Sequence, residues 1–267
     1  MSPRIQLIAL DLDGTLLCDD GSISARNVQA IQTAVSQNIH VILATGKTRA
    51  SAHGVFTQLG HELPGVFTQG LVIQQADGTV CHETVLDRET AVRAITFAVQ
   101  QQLPHLAYCG QRIVTPEDHA YSRLLYEKYH EPAPEIIGPF LEQIDDLHIN
   151  KFLVSDETHN DATRSRLTDL MGEHATVTQA VPGYIEMLPP GTSKGKGVQL
   201  LLDDWGIPPT AVLAVGDGEN DLDMVRLAGV GVAMGNAIPA LKTIADYVTA
   251  DNNHSGVAEA IERFALT

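Results

Sequence analysis

A short, mostly apolar run at residues 5–10 stops on Asp11-Leu12-Asp13-Gly14-Thr15. The run reads as a buried strand, since its length suits a strand and not a helix. Core packing gives no reason for such a strand to end on two acids. Carboxylates at i and i+2 point to the same side of an extended chain. Held together they repel, unless a cation lies between them or one keeps its proton. The ending therefore asks for a metal ion, a proton-transfer role, or both.

The flanking sequence alternates strands and helices. After the first strand, residues 22–37 read as a helix with Ser22 or Ser24 as N-cap and Asn38 as its stop. Val28, Ile31 and Val35 supply its apolar face at i, i+3 and i+7. Residues 40–44 form a second strand ending at Thr45-Gly46-Lys47, and residues 48–59 a short helix. Strands follow at 65–67 and 72–74, with Asp77-Gly78 as a hairpin turn. The alternation resumes late in the chain, with a helix at 194–205 and a strand at 211–215 ending on Gly216-Asp217-Gly218-Glu219-Asn220-Asp221. Helices at 221–228, 238–245 and 256–264 and strands at 230–234 and 247–248 complete it. This pattern predicts an α/β fold with a parallel sheet.

The middle reads differently. A helix at 88–102, patterned by Val92, Ile95 and Val99, precedes short strands at 106–108 and 112–114. A tyrosine-rich segment and a proline-rich loop follow, then strands at 151–154, 175–178 and 184–187 around a helix at 160–171. We expect an inserted α+β domain at 82–185, with 1–81 and 186–267 forming the two parts of the core.

Composition excludes several classes. No apolar stretch approaches the roughly 20 residues of a membrane helix. The N-terminal Met1-Ser2-Pro3-Arg4 lacks the apolar segment and cleavage site of a secretory signal. Cys18, Cys81 and Cys109 are odd in number and widely spaced, which argues against a disulfide framework or structural zinc. A cytoplasmic location is expected. The net charge of −16 provides no basic footprint for nucleic acid. It also opposes an anionic substrate, whose site would need local positive charge from a metal and a lysine.

Asp11, Asp13, Thr45 and the 217–221 loop all fall at carboxyl ends of predicted strands, and Lys194 opens a helix. Ligands of open α/β sheets bind at that edge. A carboxylate such as Asp11 can serve as a covalent nucleophile toward phosphate if a divalent cation removes the repulsion. Asp11, Asp217 and Asp221 form an oxygen set that suits Mg²⁺. Asp13 can act as general acid and then general base. Thr45, the Gly46 amide and Lys47 can hold phosphate oxygens near a helix start, and Lys194 adds a point charge. Gly191-Thr192-Ser193-Lys194-Gly195-Lys196 is one residue short of a P-loop, and Gly197 stands where that motif needs Ser or Thr.

Together these motifs resemble the haloacid dehalogenase-like superfamily, and within it the Cof-type (IIB) sugar-phosphate phosphatases. The resemblance rests on Asp11-Leu12-Asp13-Gly14-Thr15, Thr45-Gly46, Gly191-Thr192-Ser193-Lys194-Gly195 and the run from Gly216 to Met224. It implies a Rossmannoid parallel-sheet core, helices on both faces, and a cap inserted after the third strand. It further implies Asp11 as nucleophile and Asp13 as acid/base. Mg²⁺ would be held by Asp11, the Asp13 carbonyl and Asp217, with Asp221 assisting through water. Thr45, Gly46, Lys194 and Asn220 would bind phosphate. Lys47-Thr48 departs from the family's usual Arg-Pro, and Gln69-Gly70-Leu71 from its Asn-Gly-Ala. Lys47 and Gln69 are therefore read as positions that bear on how substrate is held.

The expected activity is Mg²⁺-dependent hydrolysis of a small soluble phosphate ester, with the cap closing over the site and Tyr108, Arg112 or Lys151 reading the leaving group. The alternatives are a phosphomutase or phosphotransferase with the same nucleophile, and a non-catalytic phospho-accepting module. A proton-handling Asp13 argues against the last.

Overall fold

The computed structural model describes residues 4–129, 131–179 and 183–266, and among these described residues there are fourteen strands. Residues 1–3 of the N-terminal segment considered above lie outside the described residues. The strands are β1 (Leu7–Leu10), β2 (His40–Ala44), β3 (Gly65–Phe67), β4 (Val72–Gln74) and β5 (Val80–Glu83). Then come β6 (His105–Cys109), β7 (Arg112–Thr115), β8 (Glu135–Ile136), β9 (Lys151–Ser155), β10 (Thr176–Thr178) and β11 (Tyr184–Leu188). The last three are β12 (Val212–Gly216), β13 (Val230–Ala233) and β14 (Tyr247–Val248). The helices are α1 (Ala25–Ser36), α2 (His53–Leu59), α3 (Arg88–Gln100), α4 (Ala120–Tyr129), α5 (Asn160–Met171), α6 (Lys194–Trp205), α7 (Leu222–Leu227), α8 (Pro239–Ile244) and α9 (Gly256–Phe264).

The chain divides into two compact units. One joins Met1–His82 to Ser193–Thr267, and the other is Glu83–Thr192. The second runs past the expected limit of 185 because β11 pairs antiparallel with β9 and β10 inside its sheet.

The first unit holds an eight-stranded sheet in the order β14-β13-β12-β1-β2-β3-β4-β5. It is parallel from β14 to β3, and β4 returns antiparallel to β3. Every residue of β1 and β12 is buried, as strands covered on both faces require. Val198, Leu201 and Leu202 of α6 and Met224 of α7 pack with Leu7, Ala9, Ile42 and Ala44. Helices α1 and α9 pack on each other and against β2 and β12. The result is the α/β layered core expected from the sequence. β2 lies on one side of β1 and β12 on the other, so the strand order reverses at β1. Such a switch point opens a crevice at the carboxyl ends of its strands.

The second unit is built on a six-stranded sheet, β10-β11-β9-β6-β7-β8, antiparallel except for the β7–β8 pair. Ala107, Phe152, Val154, Ile185 and Met187 meet α3 and α5 in one core. Leu106, Tyr108, Ile113, Leu153 and Tyr184 meet Leu125 of α4 in another. Tyr108 and Lys151 are buried, with the Lys151 ammonium 4.2 Å from the Tyr108 ring centre and 3.7 Å from Glu186. Arg112 is exposed and paired with Glu135 at 2.6 Å. Among the described residues, no helix is long and apolar enough to cross a membrane.

The expected helices form close to their expected spans, α4 forms where the sequence was read only as a tyrosine-rich segment, and two buried faces differ from expectation. In α1 the buried residues are Asn27, Ala30, Ile31 and Ala34, while Val35 is 37% exposed. In α3 they include Ala91, Ala94, Ile95 and Ala98, while Val99 is 53% exposed. Alanine marks an apolar stripe weakly in sequence, yet it lets helices approach closely. The buried side of α9 is mixed, with Gly256, Ala258 and Ala260 beside Val257 and Ile261. The contrast is testable by urea unfolding. Ala34→Leu overpacks a filled site and should cost about 1–3 kcal/mol. Val35→Leu, on the exposed side, should change stability by less than about 0.5 kcal/mol.

Candidate active site

Strand register builds the site. Leu10 pairs with Leu43 on β2 and with Val215 on β12, so the loops after these strands emerge together. The Asp11 amide donates to the Val215 carbonyl at 3.1 Å, holding Asp11 at the end of the ladder. The chain then turns at once. The amides of Thr15 and Leu17 both donate to the Leu12 carbonyl, at 3.2 and 2.9 Å. The two acids of this turn have different surroundings. The Asp11 side chain is 7% exposed and that of Asp13 59%.

Lys194 reaches Asp11 from the first turn of α6. Ser193 caps this helix, its Oγ accepting from the Lys196 amide at 3.2 Å. The Lys194 ammonium is buried and donates to Asp11 Oδ1 at 2.6 Å and Asp221 Oδ1 at 2.8 Å. The other oxygen of Asp221 accepts from the amides of Asp217 and Gly218, both at 2.9 Å. Asp221 thus ties the lysine to the loop that carries Asp217.

One carboxylate oxygen from each of Asp11, Asp217 and Asp221 lies within 4.8 Å of the others. Burial pushes the Asp11 carboxyl well above the usual carboxylate range. The Asp221 charge adds to this, and Lys194 opposes it. Asp217 is raised too, by burial and then by Asp221. Burial alone would lower Lys194, but the charges of Asp11 and Asp221 outweigh it and hold its pKa above the ordinary value. One ammonium among three carboxylates leaves an excess of two negative charges. An all-oxygen donor set with that excess fits a hard divalent cation such as Mg²⁺.

The remaining expected residues gather around this cluster. Lys47 Nζ donates to Asp13 Oδ1 at 2.8 Å. Thr45 is buried, and its Oγ1 accepts from the Lys47 amide at 3.2 Å. Asn220 Nδ2 donates to Gln69 Oε1 at 3.1 Å, and Gln69 lies against Gly46. Lys47 and Gln69, read as positions that bear on substrate, both have protein partners here.

Sequence reasoning assigned no role to two contributors. Thr15 Oγ1 donates to Asp217 Oδ1 at 3.1 Å. Asn236 Nδ2 donates to the Gly14 carbonyl at 2.8 Å and lies 3.5 Å from Asp217 Oδ2. Asn236 follows β13, so the strand-end rule that singled out Asp11 and Asp217 would have found it. Gly14, at φ 77°, is packed so tightly that a Cβ would run into the Asp217 carboxylate. The glycine therefore lets the first loop approach the Asp217 loop.

The chain matches the model of the haloacid dehalogenase-like hydrolases over residues 8–261. It belongs to that family. A haloacid dehalogenase-like hydrolase from Bacteroides thetaiotaomicron of known crystal structure shares 32% identity, with a TM-score of 0.89 over 97% of this chain and 99% of that one. The 5-amino-6-(5-phospho-D-ribitylamino)uracil phosphatase YitU of Bacillus subtilis is 30% identical over 272 residues, 99% of each chain. The chloroplastic endoribonuclease YBEY of Arabidopsis thaliana is 34% identical over 275 residues. That alignment takes in 99% of this chain but only 47% of the plant protein, so the chain spans about half that relative's length. The resemblance read from the motifs thus holds across the hydrolase family, and the four motifs of this member converge at one sheet edge.

The raised carboxyls make a signed prediction for protein stripped of metal with EDTA. Asp11 and Asp217 titrate higher folded than unfolded, so the folded state binds more protons above their ordinary range near 3.8. Their contribution to stability is present at low pH and is lost as pH rises through the folded values. In EDTA, the unfolding midpoint should fall as pH rises above the ordinary carboxylate range, and Asp217→Asn should reduce that fall. Millimolar Mg²⁺ should raise the midpoint most at the higher pH, as differential scanning fluorimetry would show.

Proposed function

We propose that this hydrolase is a Mg²⁺-dependent phosphomonoesterase acting on a small soluble phosphate ester through an aspartyl-phosphate on Asp11. The observation that carries this reading is the convergence of Asp11, Asp217, Asp221 and Lys194 at the carboxyl edge of β1 and β12, with an excess of two negative charges. Bound Mg²⁺ would offset that charge and polarise the phosphoryl oxygens. Asp11, Asp217 and the Asp13 carbonyl would hold it. Asp221 would act mainly through its charge, since both its oxygens already accept hydrogen bonds from the protein.

The two acids of the first loop then have different tasks. Buried Asp11 attacks phosphorus, and the bond to the ester oxygen breaks. Exposed Asp13 gives its proton to that leaving oxygen. It next takes a proton from water as the water attacks the phosphoryl phosphorus. Inorganic phosphate leaves and Asp11 is restored. Different surroundings for paired carboxyls are the usual way of separating nucleophile from acid/base. Thr45, the Gly46 amide, Lys194 and Asn220 orient the phosphate in this scheme. Choice of leaving group falls to the inserted Glu83–Thr192 unit, as the cap of this reading. The charge of −16 disfavours nucleic acid as the substrate, which leaves a small metabolite. The Bacillus subtilis relative, named for a phosphorylated ribitylaminouracil, supports that substrate class.

Release of phosphate from p-nitrophenyl phosphate tests the scheme. EDTA should abolish turnover and Mg²⁺ restore it. Asp11→Asn should reduce turnover to background, and Asp13→Asn should lower kcat by about 10²–10⁴-fold. Full turnover in Asp11→Asn would exclude the proposed nucleophile.

A further inference from the structure

Between β3 and β4 the chain makes a turn that is costly for its residue types. Thr68 and Gln69, both with side chains, take left-handed backbone angles at φ 51° and 62°, and Gly70 follows at φ 95°. L-residues with a Cβ rarely adopt this region, least of all twice in succession. Such strain persists only where the surroundings enforce it, and it concentrates at functional positions.

The enforcing contacts run to the phosphate-side loop. The Thr68 amide donates to the Lys47 carbonyl at 2.9 Å, and the Gln69 amide to the Thr45 carbonyl at 3.1 Å. On the other side Gly70 touches the chain at Ser193, where an added Cβ would collide with the Ser193 carbonyl oxygen. The turn is therefore wedged between the 45–47 loop and the start of α6. Its one long polar side chain, Gln69, is 7% exposed. The Gln69 carboxamide lies over Gly46, where an added Cβ would stand 2.9 Å from Gln69 Nε2. Its Oε1 accepts from Asn220 Nδ2 at 3.1 Å.

We propose that Gln69 is a positioning residue that presents Asn220 to the phosphate. A carboxamide nitrogen carries two N–H donors, and its terminal torsion is soft. Gln69 Oε1 takes one of the two donors and thereby fixes the plane and the sense of the amide. The second N–H is left pointing in one direction, available to a phosphate oxygen. The strained turn has a purpose on this view: it places Oε1 where a relaxed strand connection would not. Gln69 touches Asn220 and not the substrate. The proposal rests on the reading of Asn220 as a phosphate ligand.

A double-mutant cycle separates the two claims. Hydrolysis of p-nitrophenyl phosphate and its inhibition by inorganic phosphate are measured for the parent, Gln69→Gly, Asn220→Ala and the double variant, all with Mg²⁺. Gln69→Gly should weaken phosphate inhibition and raise KM by about tenfold, the worth of one hydrogen bond, with a smaller change in kcat. Its unfolding midpoint should equal or exceed the parent's, because glycine accepts the left-handed angle. The double variant should bind phosphate no more weakly than Asn220→Ala alone, because Gln69 acts through Asn220. If Asn220→Ala weakens phosphate binding and the double variant multiplies both losses, the coupling is refuted and the phosphate reading survives. If Asn220→Ala leaves phosphate inhibition unchanged, the phosphate reading itself fails. Parent-like inhibition in Gln69→Gly would overturn the positioning role directly.

Discussion

The Lys194 ammonium, held 2.6 Å from Asp11 and 2.8 Å from Asp221, is the interaction on which the site depends. The three groups come from three places: Asp11 from the end of β1, Asp221 from the loop after β12, and Lys194 from the first turn of α6. Lys194 and Asp11 are 183 positions apart in sequence. The pair can form only when both parts of the first unit have joined one sheet, with β12 added beside β1. Interrupting that unit with Glu83–Thr192 is tolerable because loop-closure entropy grows only slowly with length. Once formed, the buried cluster resists change, since removing one partner of such a set costs about 3–5 kcal/mol.

The path from sequence to this site was legible where chemistry and periodicity pointed the same way. Apolar runs ending on Asp11, Thr45 and Asp217 named three loops of the parallel sheet, and β1, β2 and β12 place them side by side. Helix α6 forms over the expected 194–205, with Ser193 capping it and Gly206 closing it. The buried faces of α1 and α3 were not legible, because alanine carries little hydrophobic signal while valine carries much. Asn236 was missed for a different reason: its strand was read at 230–234, but an asparagine directly after Gly235 reads as a turn residue. The partners of Lys47 and Gln69 were out of reach altogether. They depend on the turn at Leu12 and the left-handed pair at Thr68 and Gln69, which neither propensity nor spacing announces.

The first loop shows how a local turn changes the chemistry of two identical residue types. Had β1 continued through Asp13, both carboxyls would have faced one side and repelled each other. The turn at Leu12 sends Asp11 into the cluster with Lys194 and leaves Asp13 largely in solvent beside Lys47. Tight packing of Gly14 on Asp217 and the Thr15 hydrogen bond then lock the two loops together. One strand end thus supplies a desolvated carboxyl and a hydrated one within three residues, the separation that the proposed mechanism uses.

The charge balance sharpens the case for a cation. A net charge of −16 opposes the approach of an anionic ester, and a metal together with a lysine is the expected remedy. Both lysines at the site are already committed: Lys194 to Asp11 and Asp221, and Lys47 to Asp13. With Asp217 added, four carboxylates face two ammonium groups. Neither lysine brings surplus positive charge to a dianion. In the proposed scheme, attraction for phosphate comes from oriented N–H donors, such as the Gly46 amide and the Asn220 carboxamide, and from a divalent ion that offsets the remaining acid. The lysines organise carboxylates, and the proposed Mg²⁺ makes the pocket hospitable to an anion.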